Sequence, residues 1–187
     1  MPDTITRAIT RPGAYPAFLA ALGVFVALLA LGFVHSLLSA LQAVSLSASG
    51  NDVGQLWLAQ LLSSISGPLP FAIGILLCFW QIAPIAPQLR LAHVVTRSLL
   101  AVVVAAVLLW VVDVVVQFVA DIASRPFSYD PGAIFGRLGQ NVLYSLISAM
   151  QSAVSYLPVA VLAGILLWGW LQRHPPTTPV RGALDEV

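Results

Sequence analysis

Two ionisable side chains inside long apolar runs are the residues of this sequence best placed to do chemistry. Asp113 is the only charged residue between 98 and 120, and His35 lies well inside the first apolar run, which begins near Pro16. An ionised Asp near the middle of a membrane helix costs about 2.5–3.5 kcal/mol. It therefore needs a partner, water or protonation. Because both residues reach a similar depth in their helices, we expect His35 and Asp113 to lie together in the bundle interior.

The same two residues allow three interpretations. They form a proton- or cation-coupled site, they form a buried hydrogen-bonded pair, or Asp113 reaches the outer headgroups by itself. The sequence leaves these alternatives open.

A polar stripe along the predicted last helix is the second candidate site. Its members are spaced three and four residues apart, which places them on one helical face: Gln140, Asn141, Tyr144, Ser145, Ser148, Gln151, Ser152 and Ser155. The stripe is a seam between helices, the upper face of a helix lying in the outer interface, or the lining of a polar path. We expect it to face protein or trapped water, with Ser145, Ser148 and Ser152 least accessible. The side chains expected to be most accessible are Leu143, Leu146 and Met150.

The elements that must position these residues are long runs without charge. Residues 12–51, 53–89 and 138–172 contain no Asp, Glu, Lys or Arg. A transmembrane helix needs roughly 20 apolar residues, so each run is long enough. Only 8% of all residues are charged, against about 25% in soluble domains. The runs do not alternate with period 2, which indicates an all-α, polytopic integral membrane protein.

Four transmembrane helices are predicted in a single membrane domain, residues 1–187. Their approximate ranges are 16–44, 68–86, 96–120 and 140–172. Pro68 and Pro70 interrupt the second run, because each removes a backbone hydrogen bond. The residues before them form one of two amphipathic outer segments, with a faint polar stripe of Gln55, Ala59, Gln60, Ser63, Ser64 and Gly67.

The last run and the two halves of the chain add two further expectations. Residues 133–172 would form a helix of about 60 Å, so part of it must project, tilt or bend at Pro158.

Each half of the chain contains Leu-Pro, then Gly-Ile-Leu-Leu, then Trp. This shared order suggests a duplicated two-helix hairpin, although so few letters also recur by chance in a Leu-rich chain.

The arginines predict the orientation, because cytoplasmic loops of membrane proteins carry an excess of basic residues. With four spans and an inner N-terminus, Arg125 and Arg137 lie outside. The six arginines that would lie inside are Arg7, Arg11, Arg90, Arg97, Arg173 and Arg181. We therefore expect a multi-pass protein of the cell membrane with both tails, 1–14 and 173–187, in the cytoplasm.

The composition and the absence of enzyme motifs from the sequence favour a non-enzymatic function. The sequence lacks nucleophile-elbow, zinc-helix and phosphate-loop motifs, and its three His and one Cys suggest neither a metal site nor a cofactor. A net charge of +1 argues against a nucleic-acid partner. We expect a protein that acts in the lipid bilayer through helix association, as a homo-oligomer or as a small subunit of a larger membrane complex. The alternative is a small oligomeric transporter or channel that uses His35, Asp113 and the polar stripe.

Overall fold

The described part of the chain is a bundle of four helices. The computed structural model describes residues 14–46, 65–123 and 131–174. Its helices are α1 (Ala14–Leu46), α2 (Pro68–Leu77), α3 (Leu91–Ala123) and α4 (Pro131–Arg173), and no strand occurs within these ranges. Three of them, α1, α3 and α4, are long and apolar enough to cross a membrane. The prediction of an all-α chain with long apolar helices is confirmed.

The second helix is short because prolines and a π-helical turn bound it. It begins at Pro68, where the missing N–H of proline leaves no bond unmade in a first helical turn. It continues into one π-helical turn, Cys78–Ile82, which the Ala83 amide closes by donating to the Cys78 carbonyl at 2.8 Å. Together α2 and this turn span Pro68–Ile82, which is shorter than the other three helices. The count of four transmembrane spans is therefore not confirmed.

A buried loop connects the π-helical turn to α3. Ala83, Pro84 and Ile85 are buried although they are not helical, so their backbone groups need partners inside the protein. The Arg97 guanidinium donates to the Pro84 carbonyl, and the Trp168 indole donates to the Leu89 carbonyl at 3.0 Å. These two side chains, one from α3 and one from α4, fix the loop against the end of the bundle.

The core of the bundle lies where α2 packs between its neighbours. Phe71, Ile75 and Phe79 are fully buried, and the Phe71 ring meets the Tyr156 ring of α4 edge to face, with the ring centroids 5.1 Å apart. Gly74 allows α2 and α3 to approach closely, because a Cβ at this position would collide with the Ala105 backbone. Helix α1 packs against α2 and α4.

The fourth helix runs without interruption through Pro158. It contains 43 residues, roughly 65 Å at 1.5 Å per residue, which is about twice the bilayer core. Pro158 therefore does not end the helix. By contrast, the assigned helix α2 begins only at Pro68, one residue after a turn at Gly67. The proposed duplication of the two halves is not confirmed. The predicted amphipathic segment before Pro68 lies mostly outside the described residues.

Candidate functional site

The polar side chains of α3 meet α4 at two points, which lie about two turns apart on α3 and about one turn apart on α4. The Gln117 amide donates to the Ser145 hydroxyl at 3.0 Å, and the Trp110 indole donates to the Val142 carbonyl at 3.3 Å. Ser145 is completely buried. Hydrogen bonds of this kind join apolar helices where hydrophobic burial contributes little to association. The inner part of the predicted polar stripe therefore forms a seam between α3 and α4.

Small residues complete this seam towards the other end of the helices. Ser98 of α3 is fully buried, and its hydroxyl donates to the Val94 carbonyl of its own helix at 2.9 Å. A Cβ on Gly164 would collide with the Ser98 hydroxyl. Close approach at this pair, together with the Trp168 bond to the loop, explains why α3 and α4 stay packed along their length.

Asp113 lies on α3 between the two residues that bond to α4. It is three residues after Trp110 and four before Gln117, so all three share one side of the helix. Its side chain is half-buried, and it makes no hydrogen bond or ion pair with the described residues. The structure thus places a carboxyl group beside the α3–α4 seam without giving it a partner from the described chain.

His35, the other half of the predicted pair, is exposed on α1. No hydrogen bond or ion pair joins it to Asp113 within the described ranges. Helix α1 packs against α2 and α4, whereas the expected pairing required α1 to face α3. A joint role for the two residues stays a prediction.

The polar stripe of α4 divides into two strips that face different surroundings. Asn141 and Ser152 are half-buried and flank the buried Ser145. The other strip, which we call the polar edge, is exposed along its whole length and consists of Gln140, Tyr144, Ser148, Gln151 and Ser155. Within the polar edge the Ser155 hydroxyl donates back to the Gln151 carbonyl at 2.9 Å.

The width of the stripe explains this division. Eight residues at steps of one, three and four cover an arc of roughly 140° at 100° per residue. One neighbouring helix covers only part of such an arc, and α3 takes the strip that contains Ser145. Ser148 was expected among the least accessible residues but is exposed, while Leu143 and Met150 are about 60% exposed and Leu146, named with them, is 40% exposed.

Sequence reasoning did not single out Gln117, Trp110, Gly164 or Ser98 as positioning residues. The signal for the first two was present, since Trp110 and Gln117 are the only residues with a side-chain nitrogen or hydroxyl group, besides Asp113, between 99 and 120. Gly164 and Ser98 carry no such signal in the sequence. They allow α3 and α4 to approach closely only because they lie opposite each other, and the sequence does not show which turns of the two helices are opposite.

A metal site has no support in the geometry of the described residues. They contain no group of three or more His, Cys, Asp or Glu side chains that could hold an ion. Cys78 is a free thiol buried in the core.

Comparison with protein-family models, curated proteins and solved structures gives no match to this chain.

Proposed function

We propose that the protein is a multi-pass protein of the cell membrane that acts by associating with protein through the polar edge of α4. Helices α1, α3 and α4 cross the bilayer, and α2 with its π-helical turn forms a shorter fourth span. Both termini lie in the cytoplasm, where the majority of the arginines would then be. The protein has no enzymatic activity in this proposal, and its partner is a second copy or another membrane protein.

One observation carries the proposal: a continuous row of five polar side chains is exposed on a helix that is otherwise suited to lipid. Three of the residues on the adjoining side of the helix are large and apolar, and they are also exposed: Leu143, Ile147 and Met150. Polar groups in hydrocarbon must meet protein or water. A row that runs from Gln140 to Ser155 spans about four turns and is too long to reach one interface by snorkelling.

The expected strength of this contact follows from measured hydrogen bonds in membranes. Such bonds contribute on average about 0.6 kcal/mol each. Ser155 already donates to the Gln151 carbonyl, so the other four side chains, once partnered, contribute roughly 2.4 kcal/mol, which favours association without making it irreversible. Tyr144 adds contact area, because this residue is 71% exposed.

The test is the mass of the native complex extracted in mild detergent. We expect a mass greater than that of one chain, from either a homo-oligomer or a heteromeric complex. The variant Ser148→Leu with Gln151→Leu should dissociate it, because both changes remove polar groups from the polar edge. Met150→Leu is the matched control and should leave the mass unchanged. A wild-type chain that is monomeric under the same conditions would refute the proposal.

A second candidate function, a small oligomeric transporter or channel, is favoured by one specific observation. Asp113 is half-buried beside the Gln117–Ser145 bond and has no partner among the described residues. An ionisable group at membrane depth is by default a candidate for proton or cation binding. Proton or cation flux into proteoliposomes that is lost in Asp113→Asn would favour this function, whereas absence of flux from the wild type would favour association alone.

A further inference from the structure

An apolar groove runs between α1 and α4, nearer to the C-terminus of α4 than the polar edge is. Its volume is about 320 Å³. The lining is formed by residues 19–27 of α1 and 159–170 of α4 and contains no charged side chain: Leu19, Ala20, Gly23, Val24, Ala27, Val159, Leu162, Ala163, Leu166, Leu167 and Trp170.

The groove has a closed floor and open walls. Val24 and Leu167 at the floor are buried, whereas Leu162 and Leu166 on the α4 wall are more than half exposed. Gly23 leaves the middle of the groove empty, since a Cβ built there meets nothing within 4 Å. The groove is therefore accessible from the side of the bundle and is not filled by the described chain.

The length of the groove matches one leaflet of a bilayer. The α4 lining extends from Val159 to Trp170, roughly 16 Å at 1.5 Å per residue, and half of a bilayer core is about 15 Å. A helix of a partner protein would continue across both leaflets and is about 10 Å wide with its side chains, far more than this volume admits. The dimensions suit a single acyl chain.

One end of the groove is basic. Trp170 lies at this end and stacks on His174, with ring centroids 5.2 Å apart and ring planes 25° from parallel. Arg173 is exposed between them in sequence, and Arg90 is exposed in the nearby loop that Trp168 holds. The only acidic side chain described, Asp113, lies on α3 between Trp110 and Gln117, whose partners Val142 and Ser145 are far from this end of α4.

We propose that this groove binds one acyl chain of an anionic phospholipid, whose headgroup phosphate contacts Arg173. The apolar lining accepts the chain, and Trp170 lies at the level where indoles meet headgroups. The arginine supplies the charge, since basic pockets between transmembrane helices bind anionic headgroups. This inference rests on the membrane placement proposed above but not on the polar edge, which occupies a different part of α4.

The experiment measures lipids retained by the purified protein. The wild-type chain is mixed in detergent with phosphatidylglycerol and phosphatidylcholine, and native mass spectrometry counts the bound molecules. We expect one phosphatidylglycerol per chain. Gly23→Leu should lose it, because the new side chain fills the groove. Gly23→Val is measured in parallel as a smaller blocking variant. Gly139→Leu is the matched control, because its Cβ also meets nothing within 4 Å but lies far from the groove.

The headgroup contact has its own pair of variants. Arg173→Gln should lower the preference for phosphatidylglycerol over phosphatidylcholine about fivefold, which corresponds to about 1 kcal/mol for one arginine near an anionic lipid. Arg90→Gln is the control and should change this preference less. Equal retention of both lipids by the wild type would overturn the headgroup assignment.

Two results overturn the groove assignment itself. One is unchanged lipid retention in both Gly23 variants, and the other is loss of lipid to the same extent in Gly139→Leu. The same spectra report the oligomeric mass, so the two proposals fail separately. If Gly23→Leu loses the lipid while the mass of the complex is unchanged, the result supports lipid binding in the groove. If the wild-type chain is monomeric but still binds phosphatidylglycerol, the result refutes only the association proposal.

Discussion

Gly74→Ala should destabilise the protein, although replacing glycine by alanine inside a helix usually stabilises it. The reason is the close contact of α2 with α3 at this residue. A Cβ added at Gly74 would lie 2.9 Å from the Ala105 Cβ and closer still to the Ala105 Cα. Real Cβ atoms essentially never come within 3.0 Å of a non-bonded heavy atom of a packed neighbour, so the two helices must move apart. Ala105 is fully buried and the contact includes its backbone, so rotation of a side chain cannot relieve it.

The expected magnitude combines two opposing terms. Overpacking a well-packed core costs about 1–3 kcal/mol, and replacing a mid-helix Gly by Ala favours folding by about 0.5–1 kcal/mol. With both terms at the middle of their ranges, Gly74→Ala should lower the free energy of unfolding by about 1.3 kcal/mol, and the two ranges together allow at most about 2.5 kcal/mol. In a chain of this size the unfolding temperature falls by about 2–4 °C per kcal/mol. We expect a decrease of about 3–5 °C.

The assay is thermal unfolding of the detergent-solubilised protein, followed by tryptophan fluorescence. Gly169→Ala is the control, because a Cβ at Gly169 meets nothing within 4 Å and only the favourable term remains. Adding Ala105→Gly to Gly74→Ala should not restore the lost stability, because the Ala105 Cα and N still lie against the new Cβ and a second glycine inside a helix costs about 0.5–1 kcal/mol. An unfolding temperature for Gly74→Ala at or above the wild-type value would refute the close approach of α2 and α3.

Three further predictions concern the seam, the carboxyl group and the topology. A double-mutant cycle between Gln117→Ala and Ser145→Ala should give a coupling free energy of unfolding of about 0.6 kcal/mol, and a value near zero would mean that the bond does not stabilise the bundle. Asp113→Asn should retain more of the wild-type stability than Asp113→Leu in the same unfolding assay, because the amide can still form a hydrogen bond, whereas equal stability of the Leu variant would mean that Asp113 simply reaches solvent. Cysteines at Asn51 and Tyr129 in an otherwise cysteine-free chain should react with a membrane-impermeant thiol reagent in intact cells, and labelling only after permeabilisation would reverse the orientation.

The helices were predictable because they follow from local sequence. Runs without charge account for most of α1 and α4, a run with the single charge Asp113 accounts for most of α3, and the prolines at 68 and 70 mark the start of α2. Pro158 shows the limit of this reasoning. The same residue type begins one helix and lies inside another, since its effect depends on whether neighbouring turns can satisfy the freed carbonyl.

The site was predictable as a set of residues but not as an arrangement. Spacing places eight polar side chains on one face of α4, yet it cannot tell which strip of that face meets α3. Which strip faces α3 depends on how the two apolar helices are rotated about their axes. The Gln117–Ser145 and Trp110–Val142 hydrogen bonds show that it is the strip containing Ser145. His35 and Asp113 illustrate the same limit, because similar depth in two helices does not make those helices neighbours.

The measurement that tests the central claim most directly is photo-cross-linking along α4 in native membranes. A photoreactive phenylalanine analogue replaces Tyr144 or Ser148 on the polar edge, and Leu143 or Met150 on the apolar side serves as the control. If the polar edge contacts protein, the first two positions give covalent adducts with the mass of a second chain or another membrane protein, and the controls give lipid adducts alone. Lipid adducts alone from Tyr144 and Ser148, or protein adducts of equal yield from all four positions, would contradict the claim.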